Sequence, residues 1–217
     1  MKRWSDRTLK ALLWIWGGGI ALAFWQFEGQ YFRPVSRPAG AAEIAPEQRP
    51  LSPVASLQTT EGALPLSGPG PVTLLNFWNP SCPCSRFMEG HVRKLMETYA
   101  PRGVRFVTVV ACEEAEQARS RTLARWQERG LPVATAAADP GGALARRFGV
   151  WAAPAAVILD REGRVVYVGA YNAARYCDDP QSAWAAQALT ATLEGRKPRL
   201  AHSPFYGCQV PPGLLSR

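Results

Sequence analysis

The sequence is poor in histidine, a common metal ligand, with only His91 and His202 in 217 residues. It also lacks paired Cys-x-x-Cys units, which excludes the common zinc-binding modules. Basic residues are scattered and are not interleaved with aromatic residues. The formal charge of +8 therefore indicates a solvated basic surface and argues against a nucleic-acid site.

Five cysteines are more than a cytosolic protein of this size usually needs, and they indicate an oxidising compartment or thiol chemistry. With 47% hydrophobic residues, the chain can bury one good core. We expect one folded domain with appended segments: a cytoplasmic stub and signal anchor at 1–27, a tether at 28–66, the domain at 67–196 and an irregular tail packed on it at 197–217.

The amino-terminal segment predicts a membrane anchor. Four basic residues between positions 2 and 10 precede an apolar run from 11 to 27 that only Gln26 interrupts. As a helix, this run would reach about 25 Å, the short end of a membrane span. Positive charge ahead of the run keeps the amino terminus cytoplasmic and exports the rest of the chain. The alternative is a cleaved signal peptide, because "ALA" at 21–23 resembles a small-residue cleavage site.

The segment that follows the tether alternates between strand and helix patterns. Continuous apolar runs predict buried strands, and amphipathic stretches predict helices between them. The predicted strands are 72–78, 104–110, 132–139, 155–160 and 164–171, and the predicted helices are 85–99, 113–130, 141–150 and 181–195. One edge strand is expected in the tether, near Val54 to Leu57. This order predicts an α/β domain with parallel strands first and an antiparallel hairpin last.

Two landmarks in this order carry a resemblance to a known family. "LLNFWNPSCPCSRF" (74–87) is followed about seventy residues later by "FGVWAAPAAVILDREGRVVYVG" (148–169). Together they resemble the thioredoxin fold, specifically its membrane-tethered TlpA-like branch, over roughly residues 51–196. The resemblance implies a three-layer α/β sandwich, in which helices flank a central mixed sheet, preceded here by one transmembrane helix.

Cys82 is the predicted nucleophile. It comes after a buried strand and at the start of a helix, where unpaired backbone N–H groups and the helix dipole favour the thiolate. Pro83 suits the first helical turn, where its missing N–H would be unpaired anyway. The resemblance implies the same role, because Cys82 matches the first cysteine of the family's Cys-x-x-Cys pair. We expect its sulfur to be open to solvent.

The second position of that pair departs from the family pattern. Ser85 stands where the resolving cysteine would be, and the extra thiol is one position earlier, at Cys84. A Cys82–Cys84 disulfide would close a small ring across one proline, and we expect it to be strained and easily reduced. Cys84 is therefore interpreted either as the resolving partner of Cys82 or as a buried spectator.

Three further cysteines are candidates for a resolving or structural disulfide. Cys112 follows the second strand, so it lies at the sheet edge where Cys82 is expected. Cys177 follows the last strand and is delivered to the same edge. The chain from Arg196 to Cys208 is long enough to return there after the last helix. We expect Cys177 to pair with Cys208 and to pin the tail, with a relay to Cys82 as the alternative.

The resemblance also assigns roles to residues outside the cysteines. It implies that Pro154 has a cis peptide bond and packs against the reactive cysteine, which leaves the backbone of Ala153 free to pair with an extended substrate. Trp78 belongs to the same reactive motif. Asn76 stands where cytoplasmic thioredoxins carry a buried acid that assists proton transfer, so the general base is unassigned.

These observations predict an exported, membrane-tethered thiol-disulfide oxidoreductase that acts outside the cytoplasm. Its expected partners are protein thiols and disulfides and a membrane electron donor, without a cofactor, a bound metal or nucleic acid. Two alternatives stay open. One is a copper(I) chaperone with ligands drawn from Cys82, Cys84, His91 and His202. The other is a redox-inactive module that keeps the fold for binding.

Overall fold

A computed structural model of the chain describes residues 6–38, 51–112, 124, 135–174 and 179–209. Helix α1 (Asp6–Phe32) forms a compact unit that ends at Arg33, and a second unit begins at Pro34. By length and composition, Asp6–Phe27 could cross a membrane. The helix extends beyond the predicted anchor at 1–27.

The second unit is organised around a five-stranded sheet, because the longest apolar runs within this unit form strands that are buried on both faces. Numbered in chain order, its strands are β3 (Thr73–Trp78), β4 (Arg105–Cys112), β5 (Ala136–Pro140), β7 (Ala155–Leu159) and β8 (Val165–Gly169). Their order in the sheet is β5-β4-β3-β7-β8. Every residue of β3, β7 and β8 is buried.

The pairing of these strands confirms the predicted sequence of directions. Strands β3, β4 and β5 are parallel, whereas β7 and β8 run antiparallel to their neighbours. Helices flank the sheet, and the whole is the thioredoxin-like α/β architecture that the resemblance implies. The carboxyl ends of β3 and β4 lie at one edge of the sheet, where β3 leads into the Cys82 segment.

Short helices connect and cover the strands. After β3 come α2 (Pro83–Phe87) and α3 (Glu89–Tyr99), separated by one residue, and then a turn of 3₁₀ helix at Ala100–Arg102. Helix α4 (Ala143–Arg147) follows β5, and α5 (Trp184–Leu193) follows β8 after a 3₁₀ turn at Pro180–Ser182. The predicted helix at 113–130 falls outside the described residues, apart from residue 124.

Alternating side chains of the sheet divide the core into two clusters. Leu74 and Trp78 of β3 belong to the cluster that contains the buried residues of α3 and α5. Leu75 and Phe77 belong to the second cluster, which contains Phe148, Trp151 and the tail residue Phe205. The tail therefore contributes to the core itself.

The segment expected to be a tether contains folded structure. Strands β1 (Ser56–Thr59) and β2 (Gly62–Pro65) form a separate antiparallel hairpin. Leu57 and Leu66 are buried in the second core cluster, which explains why this segment is ordered. The folded unit thus begins before residue 67, where the sequence placed its start.

As far as Gln209, the tail after α5 is mostly irregular and packs against β8. His202 forms a bridge to Val168 of β8, and Ser203 is fully buried there. The Ser203 hydroxyl bonds the Tyr167 hydroxyl at 2.8 Å and accepts a hydrogen bond from the Ala170 amide at 3.0 Å. These bonds fix the first half of the tail against the last strand of the sheet.

Candidate functional site

Two chain segments meet at the carboxyl edge of β3. Cys82 is the residue that caps the start of α2, with Pro83 as its first helical residue. Opposite it, Ala153 ends the two-residue strand β6 (Ala152–Ala153), and the Ala153–Pro154 peptide bond is cis, as the resemblance implies. The Cys82 sulfur lies 3.4 Å from the carbonyl oxygen of Ala153. Cys82, the predicted nucleophile, and the loop that contains Pro154 are therefore in contact.

The tail completes this site. Strand β9 (Cys208–Gln209) pairs antiparallel with β6, so that Cys208 lies opposite Ala153. Cys208 forms a disulfide with Cys82 across 126 residues of sequence, with Cα atoms 5.9 Å apart. The tail thus occupies the backbone edge beside Pro154 and also bonds the predicted nucleophile.

Two expectations from the sequence are wrong here. Cys208 does not pair with Cys177, because it is bonded to Cys82, and Cys177 lies outside the described residues. The Cys82 sulfur is not open to solvent either, since the residue is only 1% exposed. The physical reason is the same in both cases: β9 lies over the start of α2 and brings its own cysteine to the site.

A glycine lets the tail come this close. Gly207 precedes Cys208 and has φ of +137°, a conformation that side-chain-bearing residues rarely adopt. A Cβ atom at this position would overlap the Ala153 carbonyl oxygen and lie 2.8 Å from the carbonyl carbon and 3.1 Å from Cδ of Pro154. The approach of β9 to β6 therefore requires glycine at position 207.

Two other residues of the Cys-Pro-Cys-Ser motif, Cys84 and Ser85, are buried, whereas Pro83 is exposed. Cys84 is 3% exposed and remains a thiol. Ser85, at the position of the family's resolving cysteine, is fully buried, and its hydroxyl accepts a hydrogen bond from the Asn79 amide at 3.2 Å. Ser85 thus stabilises the turn that leads from Trp78, the last residue of β3, to Cys82.

Asn76 takes part in a buried polar chain behind the site. It accepts a hydrogen bond from the Tyr171 hydroxyl at 2.8 Å and donates one to Thr108 at 3.2 Å. Burial raises the pKa of Tyr171 well above its ordinary value, and the neighbouring Tyr167 raises it further. Tyr171 therefore stays protonated and serves as a donor.

Among the described residues, one buried acid that the sequence analysis did not single out lines a cavity next to the site. Asp139, near the end of β5, lines the same small cavity as Trp78 and Ala153, with a volume of about 10 Å³. Its carboxylate accepts hydrogen bonds from the amides of Leu144 (2.7 Å) and Ala145 (3.1 Å). Burial raises the pKa of Asp139, although these two bonds act in the opposite direction. In the sequence, the one signal for a buried acid at this position is that Asp139 shortly precedes the glycine pair at 141–142.

The remaining candidate ligands lie apart from the site. His91 packs edge-on against Tyr171, and His202 stacks on Trp151. Cys112 ends β4 opposite Pro140 and remains a thiol. Within the described ranges, the only cysteine, histidine or acidic side chains that cluster closely enough to hold a metal are Cys82, Cys84 and Cys208.

Comparisons with known proteins agree with this fold. A family model described as "Domain of unknown function (DUF6436)" matches residues 52–210. No curated protein matches. An uncharacterized conserved protein from Geobacillus kaustophilus is 23% identical over 76% of this chain and 93% of its own, with a TM-score of 0.61. The hypothetical protein SMc02350 from Sinorhizobium meliloti 1021 is 21% identical over 82% of this chain and 95% of its own, with a TM-score of 0.58.

Proposed function

Because the chain belongs to the DUF6436 family, whose description names no activity, we propose a function from the site itself: the protein exchanges thiols and disulfides with other proteins. Cys82 is the attacking thiol, and Cys208 is its resolving partner. The observation that carries this proposal is the Cys82–Cys208 disulfide beside the backbone edge of Ala153. Cys84 is not the bonded partner of Cys82 in this structure, so we do not assign it the resolving role.

The tail supports this proposal because it lies as an extended substrate would. Cys208 pairs through its backbone with Ala153 and through its sulfur with Cys82, so one strand makes both contacts that a mixed disulfide needs. Backbone pairing reads no side chains, which suits an enzyme that accepts disulfides in different proteins. The intramolecular disulfide thus resembles the product of an exchange reaction.

The chemistry needs two exchange steps and no cofactor. In the reduced chain, the Cys82 thiolate attacks one sulfur of a substrate disulfide, forms a mixed disulfide and releases the other substrate sulfur as a thiolate. The Cys208 thiolate then attacks the Cys82 sulfur, which releases the second substrate sulfur. Two electrons pass to the substrate, and the Cys82–Cys208 bond is restored. The reverse sequence oxidises a substrate dithiol.

Access to Cys82 requires that the end of the tail opens. The 1% exposure of Cys82 describes the closed, oxidised form, in which no attack is needed. Reduction removes the covalent link, and among the described residues the end of the tail is then held by the short pairing of β9 with β6 and by the packing of Tyr206 against Trp184. Two-residue pairings are weak, so we expect the segment after Phe205 to leave the Ala153 edge when a substrate competes for it.

The same proposal includes the location and the partners of the protein. The apolar run at 11–27, which belongs to the helix that could cross a membrane, and the basic residues ahead of this run support a TlpA-like, membrane-tethered arrangement with the folded unit outside the cytoplasm. A disulfide persists in such an oxidising compartment. In a reducing role, the chain would receive electrons from a membrane donor through the Cys82–Cys208 pair.

The test is a trapping experiment on the full-length chain in detergent, with insulin as the disulfide substrate. We expect Cys208→Ser to accumulate a mixed disulfide between Cys82 and insulin, because the resolving step is lost. Cys112→Ser should behave as the wild type, since Cys112 lies outside the sulfur cluster. A Cys208→Ser chain that reduces insulin as fast as the wild type would contradict the resolving role.

The redox-inactive alternative predicts a different result in the same assay. Cys82→Ser should abolish both trapping and insulin reduction if Cys82 is the nucleophile. If the wild type and Cys82→Ser are equally inert toward insulin and toward small disulfides, the disulfide is structural and the proposed activity is wrong. Mass mapping of the bridged cysteines in the isolated protein checks the premise.

A further inference from the structure

The exchange reaction proposed for Cys82 and Cys208 does not use the buried thiol of Cys84. The sulfur atoms of all three cysteines lie within 4.8 Å of one another, and they come from the start of α2 and from β9. We infer that, once the Cys82–Cys208 disulfide is reduced, these three sulfurs form a binding site for a soft monovalent cation, copper(I).

The observed spacing is close to that of a metal site. Three sulfurs bound at about 2.3 Å to a metal in their plane are about 4 Å apart. Cys84 already lies within 4.8 Å of the other two sulfurs, so its side chain must move by less than an ångström or so. Cys82 and Cys208 must separate after reduction. The Cα atoms of this pair are 5.9 Å apart, which leaves room for both sulfurs to turn toward a common centre.

The ligand set favours copper(I) over zinc. Thiolates are soft ligands that select copper(I), and structural zinc sites in proteins take four protein ligands. In the parts of the chain that the structure describes, no histidine or carboxylate joins the three cysteines within the same spacing. With β9 held against α2, as it is in the disulfide-bonded chain, Cys82 and Cys84 are 1% and 3% exposed, so a water molecule has little room to supply a fourth ligand to zinc.

The charges and electrons of this step balance, and the oxidation state of copper does not change. A dithiol reductant gives two electrons and two protons to the Cys82–Cys208 bond and leaves as its own disulfide. Copper(I) then binds three thiols and releases their three protons, so binding weakens as the pH falls. The metal would hold β9 against α2 in the reduced chain, as the disulfide does in the oxidised chain.

This inference requires only that the disulfide can be reduced, and it does not rest on exchange with other proteins. A chain that fails to reduce insulin could still bind copper, and a chain active on insulin could fail to bind it. The two proposals therefore have separate readouts.

The experiment uses the full-length chain in detergent, reduced with a phosphine, freed of reductant and titrated with copper(I) without oxygen against a coloured copper(I) chelator. We expect one copper(I) per chain, and X-ray absorption should show three sulfur ligands. Cys84→Ser and Cys208→Ser should each weaken binding at least tenfold, whereas Cys112→Ser should bind as the wild type. The oxidised chain should not compete with the chelator.

Several results would overturn the inference. They are equal affinity of Cys84→Ser and the wild type, two sulfur ligands in place of three, or equal binding by the oxidised chain. Because a serine variant could lose affinity by misfolding, circular dichroism and the midpoint of thermal unfolding are measured for each chain. Cys84→Ala gives an independent check: a folded Cys84→Ala chain that binds copper(I) as the wild type does also contradicts the site.

Discussion

The close approach of Gly207 to the Ala153 carbonyl makes the Cys82–Cys208 disulfide sensitive to one methyl group. In Gly207→Ala, the new Cβ would overlap the Ala153 oxygen in the closed, oxidised form. The alanine would also have to adopt the φ of +137° that Gly207 has, which residues with a side chain rarely do. We expect both penalties to fall on the oxidised chain, because reduction frees the segment after Phe205 to move away.

The size of the effect follows from the two contributions. A residue forced into a rare backbone conformation costs about 1–3 kcal/mol, and losing backbone hydrogen bonds between β6 and β9 costs about 1 kcal/mol each. A total of about 3 kcal/mol corresponds to about 60 mV for a two-electron couple. The reduction potential of the Gly207→Ala disulfide should therefore be less negative than that of the wild type by about this amount.

The measurement is a redox titration in glutathione buffers, followed by alkylation of free thiols and mass spectrometry of the peptides that contain Cys82 and Cys208. Gly195→Ala is the matched control: Gly195 also has positive φ, +71°, but no atom lies within 4 Å of its added Cβ. It should lose some stability and keep the wild-type potential. Equal potentials for Gly207→Ala and the wild type would refute the reasoning about the contact.

Two further predictions concern the buried polar groups. Tyr171→Phe should lower the free energy of unfolding by about 1–3 kcal/mol, because it leaves the buried Asn76 oxygen without its donor at 2.8 Å; urea unfolding measures this. Burial raises the pKa of Asp139, so the folded chain binds this proton more tightly than the unfolded chain does. That contribution to stability is fully present below the unfolded pKa of about 4 and is lost as the pH rises through the folded pKa. The stability of the wild type relative to Asp139→Asn should therefore fall between pH 4 and pH 7, and a difference that stays constant over this range would contradict the assignment.

Much of the fold could be predicted from the sequence because its strands are continuous apolar runs. The hairpin of β7 and β8 and the parallel pair of β3 and β4 lie where the pattern placed them. Of the β1–β2 hairpin, only an edge strand near Val54 to Leu57 was expected, which overlaps β1; β2 was missed, since each strand has only four residues and they contain a single buried position between them. Short strands that depend on contacts with a distant core carry little signal of their own.

The site was only half predictable. Cys82 and Pro154 were placed together by two landmarks that lie on regular elements. The disulfide partner of Cys82 could not be predicted, because Cys208 lies 126 positions away in the sequence and reaches the site in a strand of only two residues. Chain length alone allowed Cys208 to reach either Cys177 or Cys82. The glycine before Cys208 was the one local hint, since it removes the side chain that would block the approach.

The anchoring of Phe205 sets how far Cys208 can travel. Phe205 is fully buried against Trp151, and its carbonyl accepts a hydrogen bond from the Val35 amide at 2.7 Å. From this fixed point, three residues reach at most about 10 Å. Because this linker is so short, the Cys208 thiol has an effective concentration of at least the order of millimolar near Cys82. Any complex with a substrate should therefore be resolved within the same encounter, and partners would escape detection unless Cys208 is replaced.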